Sequence, residues 1–193
     1  LFGIGSWSHN DGFGIWGDGD SIELRDSGSN HPEVGENWNY NTWEHFAVLY
    51  NGSNILLYRN GNLIYTMSSP NINSASEFYL GRRGDNNNVY FKGFLSEVRL
   101  WDHARTQQQI QENMYSRLNG LESGLVLYYP LNDNEGSTVI DATGNGNDGT
   151  IEGEASWENN YSITFLEAPN ITLLYPYITT TTISTIQISE SVT

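Results

Sequence analysis

The sequence predicts an all-β protein, two packed antiparallel sheets with one short helix. Three observations carry this. Short runs of alternating apolar residues recur along the chain, each of strand length. Asn-Gly, Asp-Gly and Gly-Asn pairs punctuate them. That is hairpin chemistry, because both central residues of the tightest turns take positive φ. A helix start signal stands out at one place, Thr106.

Taken in order, Phe13 to Trp16 and Ser21 to Leu24 read as strands around a Gly17-Asp18-Gly19-Asp20 turn. Gly28 to Asn41 is polar and loop-like. From Trp43 to Tyr50 both alternating sets are mostly apolar, the pattern of a central strand covered on both faces. Asn51-Gly52 turns it. Ile55 to Arg59 and Asn62 to Tyr65 then flank Asn60-Gly61 as a hairpin. Glu77 to Gly81 and Gly93 to Trp101 are further strands. Thr106 and Gln109 form a capping box, Ile110 and Met114 share one helix face, and Asn119-Gly120 is the expected stop. Gly124 to Leu131 and Thr150 to Trp157 read as strands around a Gly/Asn/Asp loop. The Thr/Ser/Ile-rich end places Ile186, Ile188 and Val192 on one parity, again a strand pattern.

Bulk properties narrow the function. Eight Lys and Arg stand against 23 Asp and Glu, a net charge of −15. That argues against a nucleic-acid partner, which needs a basic face, and against anionic lipid. No apolar run approaches the roughly 20 residues of a membrane span, so no membrane insertion is expected. With no cysteine there is neither a disulfide framework nor a thiolate metal site. The chain begins at Leu1, so it reads as a processed form or a fragment.

Five ordered motifs point to a family: Trp43-Glu-His45-Phe-Ala47-Val-Leu-Tyr50, Leu57-Tyr58-Arg-Asn60-Gly61, Leu80-Gly81, Phe91 to Trp101 with its Glu97-Val98-Arg99-Leu-Trp101 core, and the helix from Thr106 to Tyr115. This succession resembles the laminin-G-like, concanavalin A-like jelly-roll family. The resemblance implies an antiparallel two-sheet jelly-roll sandwich. It also implies a non-catalytic, extracellular or cell-surface module whose partners are glycans or cell-surface and matrix proteins. Residues 1–118 resemble the later part of such a domain. Residues 119–157, with Gly124 to Leu131 and Asp141 to Thr150, resemble its opening strands, and 158–193 form a β tail. The order is therefore inverted, and three accounts fit: a slice of a tandem array, a permuted completion by 124–157, or strands supplied by a neighbouring molecule. An open sheet edge invites such pairing. Hence the second functional expectation, a subunit of an extracellular filament or sheath assembled by strand donation, with Ile183, Ile186, Ile188 and Val192 as assembly residues.

Candidate sites follow. Asp141, Asn145 and Asn147, with Asp133 as a weaker member, gather oxygen ligands on a glycine-rich loop, which suits Ca²⁺. The competing reading is a turn whose Asp caps backbone amides. Trp7, Trp16 and Trp38 lie near predicted loops and are candidates for stacking on sugars, while Trp43 and Trp101 read as core. Asp18, Asp20 and Glu23 approximate the carboxylate spacing of laminarinase-type glycoside hydrolases, but the shorter Asp18 and the intervening Gly19 disfavour catalysis. His45 reads as a buried core histidine. Arg83-Gly84-Asp85 is a short motif with no supporting context. Asn51, Asn160 and Asn170 begin glycosylation sequons.

Overall fold

Alternating apolar positions become two facing sheets. A computed structural model describes residues 2–4, 13–18, 21–27, 32–72, 78–81, 90–158 and 182–189. One sheet has five strands in the order β4 (Glu33–Asn37), β3 (Ser21–Arg25), β2 (Phe13–Asp18), β1 (Phe2–Ile4) and β8 (Phe78–Leu80). The larger sheet runs β11 (Leu125–Tyr129), β10 (Val98–Trp101), β14 (Thr182–Ser189), β5 (Glu44–Tyr50), β6 (Asn54–Arg59) and β7 (Asn62–Ser68). Its seventh strand, β9 (Phe94–Ser96), pairs with β14. A small ribbon joins β12 (Thr138–Val139) to β13 (Gly149–Thr150). All these pairings are antiparallel.

The main core lies between the two sheets. Ile15, Ile22 and Leu24 from the first meet Phe46, Val48 and Leu57 from the second, all fully buried. Burial of each such side chain contributes about 1.5–3 kcal/mol. A second cluster, Ala47, Leu49, Tyr58 and Ile110, lies where the helix α1 (Gln107–Asn113) covers the other face of β5 and β6. The doubly apolar pattern of 43–50 thus has its cause, since β5 is buried on both sides.

The helix docks on the Asn60-Gly61 hairpin. Both turn residues take positive φ, 49° and 75°. The Gly61 carbonyl accepts from Gln107 Nε2 at 3.0 Å and Gln111 Nε2 at 2.9 Å. A Cβ at Gly61 would lie 2.7 Å from Gln111 Cγ. Gly61→Ala is therefore expected to cost about 1–3 kcal/mol through strain and helix displacement, read from the urea unfolding midpoint. The capping box of Thr106 and Gln109 forms as expected.

Four sequence readings are corrected. The segment 28–41 contains the edge strand β4, hidden because only Val34 turns inward while Glu33 and Glu36 stay exposed, a polar edge. The helix ends at Asn113, not at Asn119-Gly120, and the Arg99 guanidinium takes the carbonyls of Asn113 and Ser116 just beyond. Asn119 and Gly120 form a separate turn whose amides donate to the Glu122 carboxylate. The run 93–101 is broken at Glu97, which takes a φ of 57°. Of 150–157, only Thr150 is in a strand. Ile151 packs on the core and Trp157 donates its indole N–H to the Gly136 carbonyl.

Residues 125–129 and 182–189 hydrogen-bond into the sheet built by residues 44–101 of the same chain. Along β14 a register shift between Ser184 and Ile186 sets Ile183, Ile186 and Ile188 opposite Val48, Phe46 and Glu44. The bulge brings Ile183 onto the parity of the other two. Val192 lies outside the described residues.

Candidate functional site

Strand alternation fixes which residues the five-stranded sheet turns away from the core. Phe13, Ile15, Ile22 and Leu24 are buried in the core, so positions 14, 16 and 18 of β2 and 21, 23 and 25 of β3 occupy the opposite face. Register arranges this outer face in rows. Tyr79, Gly3, Gly14 and Arg25 are successive neighbours across four strands. Trp16, Glu23 and Glu33 make the next row, and Asp18, Ser21 and Asn37 the third. Three strand spacings separate Tyr79 from Arg25, about 14 Å.

Two adjacent glycines leave the centre of the first row without side chains. A half-buried tyrosine stands on one flank and an arginine on the other. The Arg25 Nε and Nη2 donate to one Glu23 carboxylate oxygen at 2.9 and 2.5 Å. The face therefore joins a floor without side chains, in which Gly14 is buried, to aromatic positions and a largely buried ion pair. Ring faces accept the apolar side of a flat ligand while charged groups hydrogen-bond its hydroxyls.

The aromatic candidates separate. Position 16 lies on this outer face. Trp38 does not join it: its ring meets Phe46 edge-on at 5.4 Å, packs on the main core and donates its N–H to the Ser21 carbonyl. Trp7 lies outside the described residues. Trp101 is buried, whereas Trp43 is half-buried against Phe94, their ring centroids 6.5 Å apart. Of the hydrolase-like carboxylates, position 18 and Glu23 share the outer face, and Asp20 lies outside the described residues. Arg83-Gly84-Asp85, Asn160 and Asn170 also lie outside them.

The 141–149 loop acts as a strand cover. Asp141 Oδ1 accepts from the Tyr128 amide, the Thr143 amide and the Thr143 hydroxyl, and Oδ2 accepts from the Asn147 amide. The Ala142 amide donates to the Tyr128 carbonyl. Asn145 and Asn147 both turn their side-chain NH₂ to the Val126 carbonyl, at 2.9 and 3.0 Å. These bonds satisfy the outer edge of β11, a strand whose other edge pairs with β10. Asp133 instead accepts from the Ile140 amide at 3.4 Å. These bonds make Asp141 the centre of an amide-capping turn, the competing reading of this loop, with Asn145 and Asn147 turning nitrogen towards the strand edge. Among the described residues no group of three His, Asp or Glu side chains is placed to hold a metal.

Burial alone would raise the Asp141 pKa. The Thr143 hydroxyl and the amides of Tyr128, Thr143 and Asn147 outweigh it and hold the carboxyl below its ordinary range. Its stabilising contribution is thus present above the unfolded carboxylate pKa and lost as pH falls through the lower folded value. Asp141→Ala strands buried amides and is expected to cost about 2–3 kcal/mol. Urea unfolding with calcium and with a chelator should show the same loss in both.

Sequence reasoning missed two buried charge clusters. Glu97 and Arg99 are almost fully buried and joined at 2.8 Å, and Tyr128 donates its hydroxyl to the same Glu97 oxygen at 2.7 Å. Burial first, and then the Glu97 charge, pushes the Tyr128 phenol up to about 12. The Arg59 guanidinium grips Glu44 through both oxygens, at 2.8 and 2.6 Å. Glu97 and Arg99 carried a signal, two residues apart, but spacing alone does not tell a buried pair from a solvated one; Glu44 and Arg59 meet only across β5 and β6, which no local spacing shows. His45 is fully buried, as expected; burial, then the charge of Arg99, lowers its pKa to about 3.

A solved structure from Bacteroides ovatus ATCC 8483, described as a "putative carbohydrate binding protein", is 31% identical over 78% of this chain, with a TM-score of 0.57. The chain spans 43% of that protein's length. No curated protein matches. The family model described as the concanavalin A-like lectin/glucanases superfamily, of laminin-G type, matches residues 3–111, more than half of the chain. With its two facing antiparallel sheets, the chain belongs to the concanavalin A-like lectin/glucanases superfamily, in its laminin-G-like branch.

Proposed function

We propose that this chain is a non-catalytic carbohydrate-binding and adhesion module that works at the cell surface or outside the cell. The observation that carries the reading is the outer face of the five-stranded sheet, where Tyr79 and Arg25 flank the Gly3–Gly14 floor and Trp16 neighbours Glu23. The solved relative described as carbohydrate binding supports it. A pyranose lays its apolar face on an aromatic ring and its hydroxyls against charged groups, and this face offers both. The non-catalytic part is supported by Glu23, whose carboxylate is engaged by the Arg25 guanidinium. An acidic chain of 8 basic and 23 acidic residues favours neutral over anionic glycans.

The test is retention on a panel of immobilised neutral and acidic oligosaccharides. Wild type should bind at least one neutral class, and Trp16→Ala should weaken it about tenfold, a loss of about 1.4 kcal/mol. Release of reducing sugar from the bound class would contradict the non-catalytic reading. Retention of none would contradict carbohydrate binding itself.

A further inference from the structure

We propose that the slot between β5 and β10 accepts the 182–189 strand of a second copy of this chain, so that chains associate by exchanging β14. The inference goes beyond carbohydrate binding and rests on sheet connectivity. Among the described residues, β14 is the sole hydrogen-bonded link between the β5–β6–β7 half of the large sheet and the β9, β10 and β11 half. It pairs with β5 from Thr182 to Ile188, with β10 from Thr182 to Ser184 and with β9 from Gln187 to Ser189. Without it, β5 and the β9–β10 line are two open edges facing each other. Phe46, Val48 and Val98 of those walls belong to the main core.

Such a slot has one chemically matched filler, the strand already shaped to it. The bulge at 184–186 sets positions 183, 186 and 188 opposite Val48, Phe46 and Glu44. Another copy of the chain carries the same sequence, so the same backbone register is available when the donor changes. Unpaired backbone in the slot is costly, which holds some strand there at all times. The choice between own strand and neighbour's strand then depends on reach. Residues 159–181 separate the described segment ending at Glu158 from Thr182. The 24 residue steps from Glu158 to Thr182 set an upper bound of roughly 80–85 Å on that separation, at about 3.3–3.6 Å per residue. A domain of this length has a radius of gyration of about 16 Å, so a neighbour lies within reach. Reciprocal exchange closes a dimer, and sequential exchange builds an open chain.

The chain has no cysteine, which allows a clean trap. Ala47 and Ser184 are direct cross-strand partners. Ala47→Cys and Ser184→Cys are made in separate chains, which are co-expressed, purified without denaturation and oxidised. Neither chain alone can form a 47–184 disulfide internally. A 47–184 linkage between chains, identified by peptide mass, is the expected result. Its absence overturns the proposal, whether or not a doubly substituted chain crosslinks within itself. Light scattering of the wild-type chain gives an answer independent of how the variants fold. A mass above the monomer that rises with concentration is expected, and a monomer at every concentration overturns the inference.

Discussion

Arg99→Met is expected to destabilise the protein by about 3–5 kcal/mol, because it leaves the buried Glu97 carboxylate with only the exposed Arg117, 3.8 Å away, as a charge partner. That is a large share of the roughly 5–15 kcal/mol that holds a domain together. The substitution also frees the carbonyls of Asn113 and Ser116, which Arg99 ties to the sheet. It should therefore loosen the end of α1 as well as the β9–β10 break. Thermal unfolding should shift down by about 10 °C, given about 2–4 °C per kcal/mol for a chain of this size. Adding Glu97→Gln removes the stranded charge, and the double variant should recover part of the loss. A double variant no more stable than Arg99→Met would show that the loss comes from the helix contacts and not from the buried carboxylate.

Acid should weaken the protein well above the ordinary carboxylate range, through His45. The folded chain keeps His45 neutral down to about pH 3, first through burial and then through the Arg99 charge. The unfolded chain protonates it near 6.5. Between those values the unfolded state binds one more proton, so stability is full above about 6.5 and falls as the pH drops. The slope is about 1.4 kcal/mol per pH unit from this residue alone. Over the whole window it reaches roughly 4–5 kcal/mol. Urea midpoints of wild type and His45→Gln at pH 7, 6, 5 and 4 measure it. The variant should lose this part of the slope, and equal slopes would contradict a buried neutral histidine. Arg99→Met should raise the folded His45 pKa and narrow the window from below.

The fold was legible where periodicity and turn chemistry agree. Asn60-Gly61 between two apolar runs can be little else than a tight hairpin, and Thr106 with Gln109 announced the helix start. The doubly apolar run 44–50 showed a strand covered on both faces before its cover, α1, was known. β4 was not legible, because an edge strand with one inward side chain has the composition of a loop. The helix stop was misplaced because its last turn is followed by tertiary contacts from Arg99, which carry no local signature. The bulge in β14 hid Ile183 from the parity of Ile186 and Ile188.

The candidate site was legible only in part. Trp16 stood out as an aromatic beside a turn, but the floor of Gly3 and Gly14 exists only across strands, and no linear pattern contains it. Trp38 had the same local look as Trp16 and is committed to the core edge. Asp141, Asn145 and Asn147 offered oxygens to a cation by composition alone. Whether such a loop turns oxygens outward or caps amides depends on the strand beside it, here the exposed edge of β11.

The central claim is that the outer face of the five-stranded sheet binds sugar. Amide chemical-shift mapping tests it most directly, with the tightest-binding oligosaccharide of the panel titrated into the labelled chain. The account predicts that the largest shifts cluster at Gly14, Trp16, Glu23, Arg25 and Tyr79. Shifts centred instead on the 141–149 loop, with this face unmoved, would contradict it.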